Sequence, residues 1–279
     1  MLSGLLLALR EGLEAALIIG IVIGVVEKLN REALKRPVWW AVATAGALSL
    51  AIGAGLYALN LRFEGTAEEI YEGFAMIFAA GVLTWMILWM QRQGGRIRED
   101  LEDRTRAAAR GNGAWPLFLL AFLAVFREGL ELALFLLATS MVAGLNATLI
   151  GAVLGLASAI AAGYVLLRGT RGLSLRTFFR VTSLLLILFA AGLVSTGVHE
   201  FNEVGWIPPI IEHIWDVNPI LDENSTAGQL LKALFGYNGN PSLTEVIAYL
   251  AYFGVLMLNF LSHQRRELNP QPANLPSAR

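Results

Sequence analysis

The chain contains no cysteine, only three histidines and few charges for its 279 residues. Without cysteine there is no disulfide, no thiolate metal centre and no cysteine nucleophile. The histidines, His199, His213 and His263, stand at the ends of apolar runs or between them. A soft-metal site would be expected to recruit some of them. Charged residues make up 15% of the chain and hydrophobic residues 56%, whereas a soluble domain is about a quarter charged. The net charge of −1 argues neither for nor against nucleic acid, but no basic run is interleaved with aromatics, and nucleic acid is not an expected partner. No basic stretch and no small-residue cleavage site accompany the first apolar run, which is therefore expected to remain as a span.

What is present is a series of long apolar blocks. Crossing the hydrocarbon of a bilayer takes about 20 helical residues. Seven stretches qualify: 2–26, 38–60, 72–91, 115–142, 146–167, 178–199 and 243–262. Each must be helical, because a lipid-exposed backbone satisfies its own hydrogen bonds. The expected fold class is an all-α polytopic membrane protein with seven transmembrane helices. Of the 21 Lys and Arg, 17 fall in the segments on one side of these spans. That side is expected to be the cytoplasm, which places the N-terminus outside and the C-terminus inside. Trp39, Trp40, Trp89 and Trp115 fall near the cytoplasmic interfaces.

The pattern Arg-Glu-Gly-Leu-Glu is written twice, as Arg10–Glu14 and Arg127–Glu131. A second echo links Phe78-Ala79-Ala80-Gly81-Val82-Leu83-Thr84 to Phe189-Ala190-Ala191-Gly192-Leu193-Val194-Ser195. The expected organisation is a first three-helix repeat over 1–91, a cytoplasmic loop over 92–114 and a second repeat over 115–200. An acidic extracytoplasmic segment (201–242), a seventh helix (243–262) and a disordered cytoplasmic tail (263–279) follow. Three spans per repeat is an odd number, so the second repeat is inverted, an architecture that places substrate at the midplane.

Both copies of the motif fall near the bilayer centre, where each charge costs at least about 2.5–3.5 kcal/mol. On a helix, Glu11 and Glu14 share a face, as do Glu128 and Glu131, and Arg10 and Arg127 can each pair one turn on. Gly12 and Gly129 let a neighbouring backbone approach. Crossing of the two helices would gather four carboxylates, a cation site of hard oxygen atoms suited to Fe³⁺, Mn²⁺, Ca²⁺ or Mg²⁺. The plainer reading of such residues is an Arg–Glu bridge that only holds helices together. Glu11 and Glu128 exceed what the arginines need for that.

Outside the core, Glu69 with Glu72, and Glu200 with Glu203, form i, i+3 pairs on the outer side. They read either as an antechamber for cations or as a solvated acidic rim. Gly20 with Gly24 and Gly151 with Gly155 have the spacing of packing seams. The mixed-charge run Arg96–Arg110 reads as a solvated loop.

These motifs resemble the oxidase-dependent iron transporter family, which includes the fungal high-affinity iron permease and the permease of the bacterial Efe ferrous-iron-uptake system. The likeness is closer to the bacterial branch. It rests on both Arg-Glu-Gly-Leu-Glu copies, Glu69-Ile70-Tyr71-Glu72-Gly73, Leu83-Thr84-Trp85-Met86, Phe189–Leu193 and Phe235-Gly236-Tyr237. The resemblance implies a permease, not an enzyme, in the bacterial inner membrane. Iron is the implied cargo, with no organic cofactor, and Fe³⁺ made by a partner is the expected form. It implies Glu11, Glu14, Glu128 and Glu131 as iron ligands, Arg10 and Arg127 as supporting charges, and Glu69 and Glu72 as outer-face contacts. Implied partners are a periplasmic iron-binding protein and a haem peroxidase or ferroxidase. Transport of another cation (Mn²⁺, Pb²⁺ or protons) and a membrane scaffold for a redox partner stand as alternatives. A carboxylate di-iron enzyme would usually show Glu-x-x-His, which is absent.

Overall fold

A computed structural model describes residues 1–60, 63–93, 97–110, 114–168, 175–223 and 225–268. Every regular element among them is a helix. The long ones are α1 (Leu2–Lys28), α2 (Lys35–Asn60), α3 (Thr66–Gln93), α5 (Trp115–Ala143), α6 (Leu145–Arg168), α7 (Leu175–Glu203) and α9 (Leu243–Leu268). The short ones are a 3-10 turn (Glu32–Leu34), α4 (Ile97–Arg110) and α8 (Thr226–Phe235). Among the described residues, five helical stretches are long and apolar enough to cross a membrane: Glu32–Leu59, Thr66–Trp89, Leu145–Val165, Arg180–Glu203 and Leu243–Leu261. The two long helices outside that set, α1 and α5, each hold Arg, Glu and Glu in mid-helix. Large apolar side chains cover the outside of the bundle, among them Trp40, Leu50, Ile160 and Leu258. So much exposed apolar surface suits lipid, not water. The chain is a multi-pass membrane protein.

Four helices make the centre. Leu7 of α1, Met76–Ile87 positions of α3, Phe135 and Ala138 of α5, and Leu186–Leu193 positions of α7 form one buried cluster. Ala79 and Ala80 of one echoed segment and Phe189 and Ala190 of the other lie in that cluster. A Cβ added at Gly197 would stand 3.1 Å from the Gly73 carbonyl oxygen, so α3 and α7 run nearly in backbone contact. Close approach of this kind gives membrane helices their van der Waals gain.

On the flanks, α6 lies along α1 and α2 along α5. Along α1, Leu5 and Ala8 face Gly155, Gly12 faces Ala159 and Ala16 faces Gly163. Residue numbers rise together, so α1 and α6 run in the same direction. Gly129 against Ser49 and Gly53 against Ala133 give the same result for α2 and α5. Gly151 and Gly155 are thus a seam, as expected. Gly24 is not, because a Cβ there would meet nothing within 4 Å.

Helix ends departed from the sequence expectation where polar residues follow apolar ones. Leaving the hydrocarbon does not end a helix if its residues are good helix formers. α3 therefore begins at Thr66 and α7 continues to Glu203, which puts Glu69, Glu72, Glu200 and Glu203 on helices. The run Arg96–Arg110 is corrected in the same way. It forms α4, stapled by Arg104–Asp100 at 2.9 Å and Arg106–Glu102 at 3.4 Å. Thr105 and Ala109 are buried, and Leu101 and Ala108 pack on Val22, Val26, Leu117 and Ala121. Only part of that run is a solvated face. α5 passes to α6 through Gly144 alone, at φ +78°, a conformation that glycine adopts without steric cost. α9 extends to Leu268; the rest of the tail, from 269, lies outside the described residues.

Candidate metal-ion site

α1 and α5 cross beside one another, and their mid-helix carboxylates meet. One carboxylate oxygen each of Glu11, Glu128 and Glu131 lies within 4.8 Å of the others, and all three residues are buried. The Oε2 atoms of the three accept no hydrogen bond from the protein. Buried acceptors are almost always satisfied, so unpartnered oxygens on all three clustered carboxylates are an unusual feature that a bound cation would satisfy.

The opposite oxygens are held by the arginines. Arg10 reaches Glu11 Oε1 and Glu14 Oε1, both at 3.2 Å. Arg127 donates from Nε and Nη2 to Glu128 Oε1 at 3.0 and 2.8 Å, and its Nε lies 3.5 Å from Glu131 Oε1. Each guanidinium thus lies against the Oε1 atoms of its two carboxylates, and the Oε2 atoms of Glu11, Glu128 and Glu131 have no hydrogen-bond partner. Glu14 stands apart from the trio, on Arg10. Met86 and Trp89 of α3 close the arginines in. Arg10 donates to the Met86 sulfur at 3.5 Å, and Arg127 sits 5.1 Å from the Trp89 ring centroid, a cation–π distance. Neither role of α3 was foreseen from the sequence, which read Trp89 only as an interface indole.

The motif glycines lie on the flank away from the carboxylates. A Cβ at Gly12 would stand 2.7 Å from the Ala159 Cβ, and one at Gly129 would strike the Ser49 hydroxyl. Glycine here lets α6 and α2 close against the helices that carry the site.

At the end of the bundle where α3 begins and α7 ends, these antiparallel helices bring Glu69, Glu72, Glu200 and Glu203 near one another. Glu200 is in electrostatic reach of Glu72, Glu69 and Glu203. Beside them, His199 Nδ1 lies 3.1 Å from Glu245 Oε1, and Asn238 donates to Glu245 Oε2 at 2.8 Å. Glu245 was missed, although a signal existed. Ser242-Leu-Thr-Glu245 is a capping box, in which the Ser242 amide donates to Glu245 Oε1 at 3.1 Å and the Glu245 amide to Ser242 Oγ at 3.3 Å.

Comparison with known proteins identifies the family. The sequence profile of the iron permease FTR1 family matches residues 1–263. The chain belongs to that family. The FTR1 family consists of permeases, not enzymes. Among its relatives, the ferrous iron permease EfeU of Yersinia pestis is 36% identical over 261 residues, covering 92% of each chain. The protein of the same name from Escherichia coli (strain UTI89 / UPEC) is 35% identical over 259 residues, 92% of this chain and 94% of the relative. No solved structure matches the chain. Iron transport across a membrane is therefore the activity to be accounted for.

Proposed function

We propose that this chain moves iron across the bacterial inner membrane through a midplane site made by Glu11, Glu128 and Glu131, with Glu14 as the fourth carboxylate. The observation that carries the reading is the meeting of three buried carboxylates, each with an oxygen that no protein group satisfies. Cations are gathered by Glu69, Glu72, Glu200 and Glu203, bound by the core glutamates and released to the cytoplasm. Arg10 and Arg127 hold the carboxylates in place. A periplasmic iron-binding protein and a haem peroxidase or ferroxidase are the partners that the family resemblance implies on the outer side.

The seven-span, N-out, C-in arrangement with inverted repeats belongs to the same proposal. It is supported by equivalent contacts. Shifting by 117 residues takes Gly12 to Gly129 and Ala16 to Ala133; shifting by 110 takes Ser49 to Ala159 and Gly53 to Gly163. The contact Gly12–Ala159 then corresponds to Gly129–Ser49, and Gly163–Ala16 to Gly53–Ala133. The shared direction of α1 with α6 and of α2 with α5 also fits alternating spans.

Whether the iron in transit is Fe³⁺, as the family resemblance suggests, or Fe²⁺ bears on the site's charge. Four glutamates and two arginines sum to −2 when ionised. A divalent ion neutralises that cluster and a trivalent ion leaves it positive at the costliest depth. Charge balance favours Fe²⁺, and the relatives are named ferrous permeases. Purified chain in proteoliposomes, offered Fe²⁺ and Fe³⁺ separately under a fixed potential, tests both points. Uptake of iron by wild type and none by an inserted Glu131→Ala variant is expected. Wild-type uptake by that variant would remove the carboxylates from the pathway. Preference for Mn²⁺ over either iron ion in the same assay would overturn the choice of metal.

A further inference from the structure

Two inverted repeats that carry the same motif should enclose it equally if the molecule were symmetric, and they do not. Side-chain exposure is 0% for Arg10 and 9% for Glu131, but 14% for Glu14 and 41% for Arg127. In the orientation proposed above, α1 runs inward and α5 outward. Arg10 and Glu131 are then the outer members of the cluster, and Glu14 and Arg127 the inner ones. The outer pair is the more enclosed and the inner pair the more exposed, chiefly through Arg127. The same inequality recurs one turn away: Leu7, outward of Arg10, is fully buried, while its counterpart Ala124 is half-buried.

We infer that the structure is the cytoplasm-open member of a pair of states related by exchange of the two repeats, and that Glu200 receives Arg10 in the outward-open member. This rests on the inverted-repeat reading. Arg127 is capped here by Trp89 of α3. The shift of 117 residues that joins the motif copies takes Arg127 back to Arg10, and the shift of 111 that joins Phe78 to Phe189 takes Trp89 to Glu200. The cation–π contact that holds Arg127 on the open side therefore becomes, on exchange, an ion pair between Arg10 and Glu200. Glu200 already lies on the outer rim with Glu69, Glu72 and Glu203 around it. A guanidinium exposed on the outer side would take that charge as its partner. Glu200 is thus a positioning residue that stabilises one state, beyond any part it has in collecting cations.

The chain has no native cysteine, so single cysteines report directly. Leu7→Cys and Ala124→Cys, each in reconstituted full-length chain, are labelled with a membrane-impermeant maleimide from either side, without metal. Ala124→Cys is expected to react from the cytoplasmic face and Leu7→Cys weakly from the outer face. Adding Trp89→Leu, which removes the cap on Arg127, raises Leu7→Cys labelling severalfold and lowers that of Ala124→Cys. Adding Glu200→Gln lowers Leu7→Cys labelling at least threefold, and Glu200→Asp restores it. If both cysteines react together in every variant, the path is a continuous pore and the inference fails. If Glu200→Gln cuts Fe²⁺ uptake but leaves metal-free labelling unchanged, Glu200 only gathers cations and its role here is overturned. Failure of the glutamate site itself would show separately, as uptake by Glu131→Ala.

Discussion

Arg10 and Arg127 occupy equivalent places in sequence, yet their surroundings make them unequal partners in stability. Arg10 is sealed, and removing it leaves two carboxylates without their counter-charge inside the bundle. Loss of one member of a buried pair costs about 3–5 kcal/mol. Arg10→Ala is expected to lower the thermal midpoint of the protein in nanodiscs far more than Arg127→Ala, whose side chain is half open. Fluorescence-monitored unfolding of the two variants side by side checks this, and equal shifts would contradict it. At the proposed site, protons would compete with metal for the same oxygens, so acid should weaken it. Iron uptake at fixed potential is expected to fall as the medium is acidified through the carboxylate range, while Glu69→Gln with Glu72→Gln changes its magnitude but not its dependence on pH.

At the level of helices, the seams separate structural glycines from incidental ones. A side chain at Gly155 would meet backbone atoms of Leu5 and Leu9 and the Ala8 Cβ, the last two at 2.9 Å. Backbone cannot move aside cheaply, and overpacking costs roughly 1–3 kcal/mol or more. Gly155→Leu is expected to abolish assembly, and Gly24→Leu to leave it intact, as judged by size-exclusion profiles in detergent. The start of α9 is set by the Ser242–Glu245 capping box. Ser242→Ala removes the side-chain half of it, with an expected loss of about 1 kcal/mol, readable as faster hydrogen exchange at Thr244 and Glu245. α4 shows why a charge-rich stretch is not always a plain loop. Its charges staple one another along the outside, and Leu101, Thr105 and Ala109 recur at helical spacing on the packed face.

For the molecule as a whole, the transmembrane potential acts on every charge moved, by about 2.3 kcal/mol per charge per 100 mV. Fe²⁺ uptake without a compensating ion should therefore rise steeply with an inside-negative potential in proteoliposomes. An uptake rate indifferent to potential would require exchange for another cation. The same vesicles, with tags at each end of the chain, test the proposed N-out, C-in arrangement by protease access.

Composition and block length determined the class of this protein: a membrane bundle of helices. These are one-dimensional properties, and hydrocarbon leaves the backbone no alternative to helix. The doubled motif was equally legible, because ionised residues in mid-span are too costly to be incidental. Which carboxylates meet was decided only by the tertiary structure. Helical spacing places Glu11 and Glu14 on one face alike, but the crossing of α1 with α5 selects Glu11 for the trio and leaves Glu14 on Arg10. The purpose of each motif glycine, the indole over Arg127 and the unequal sealing of the two arginines likewise depend on neighbours distant in the chain. Spacing along one helix carries no information about which other helix will lie against it; close packing between helices supplies that.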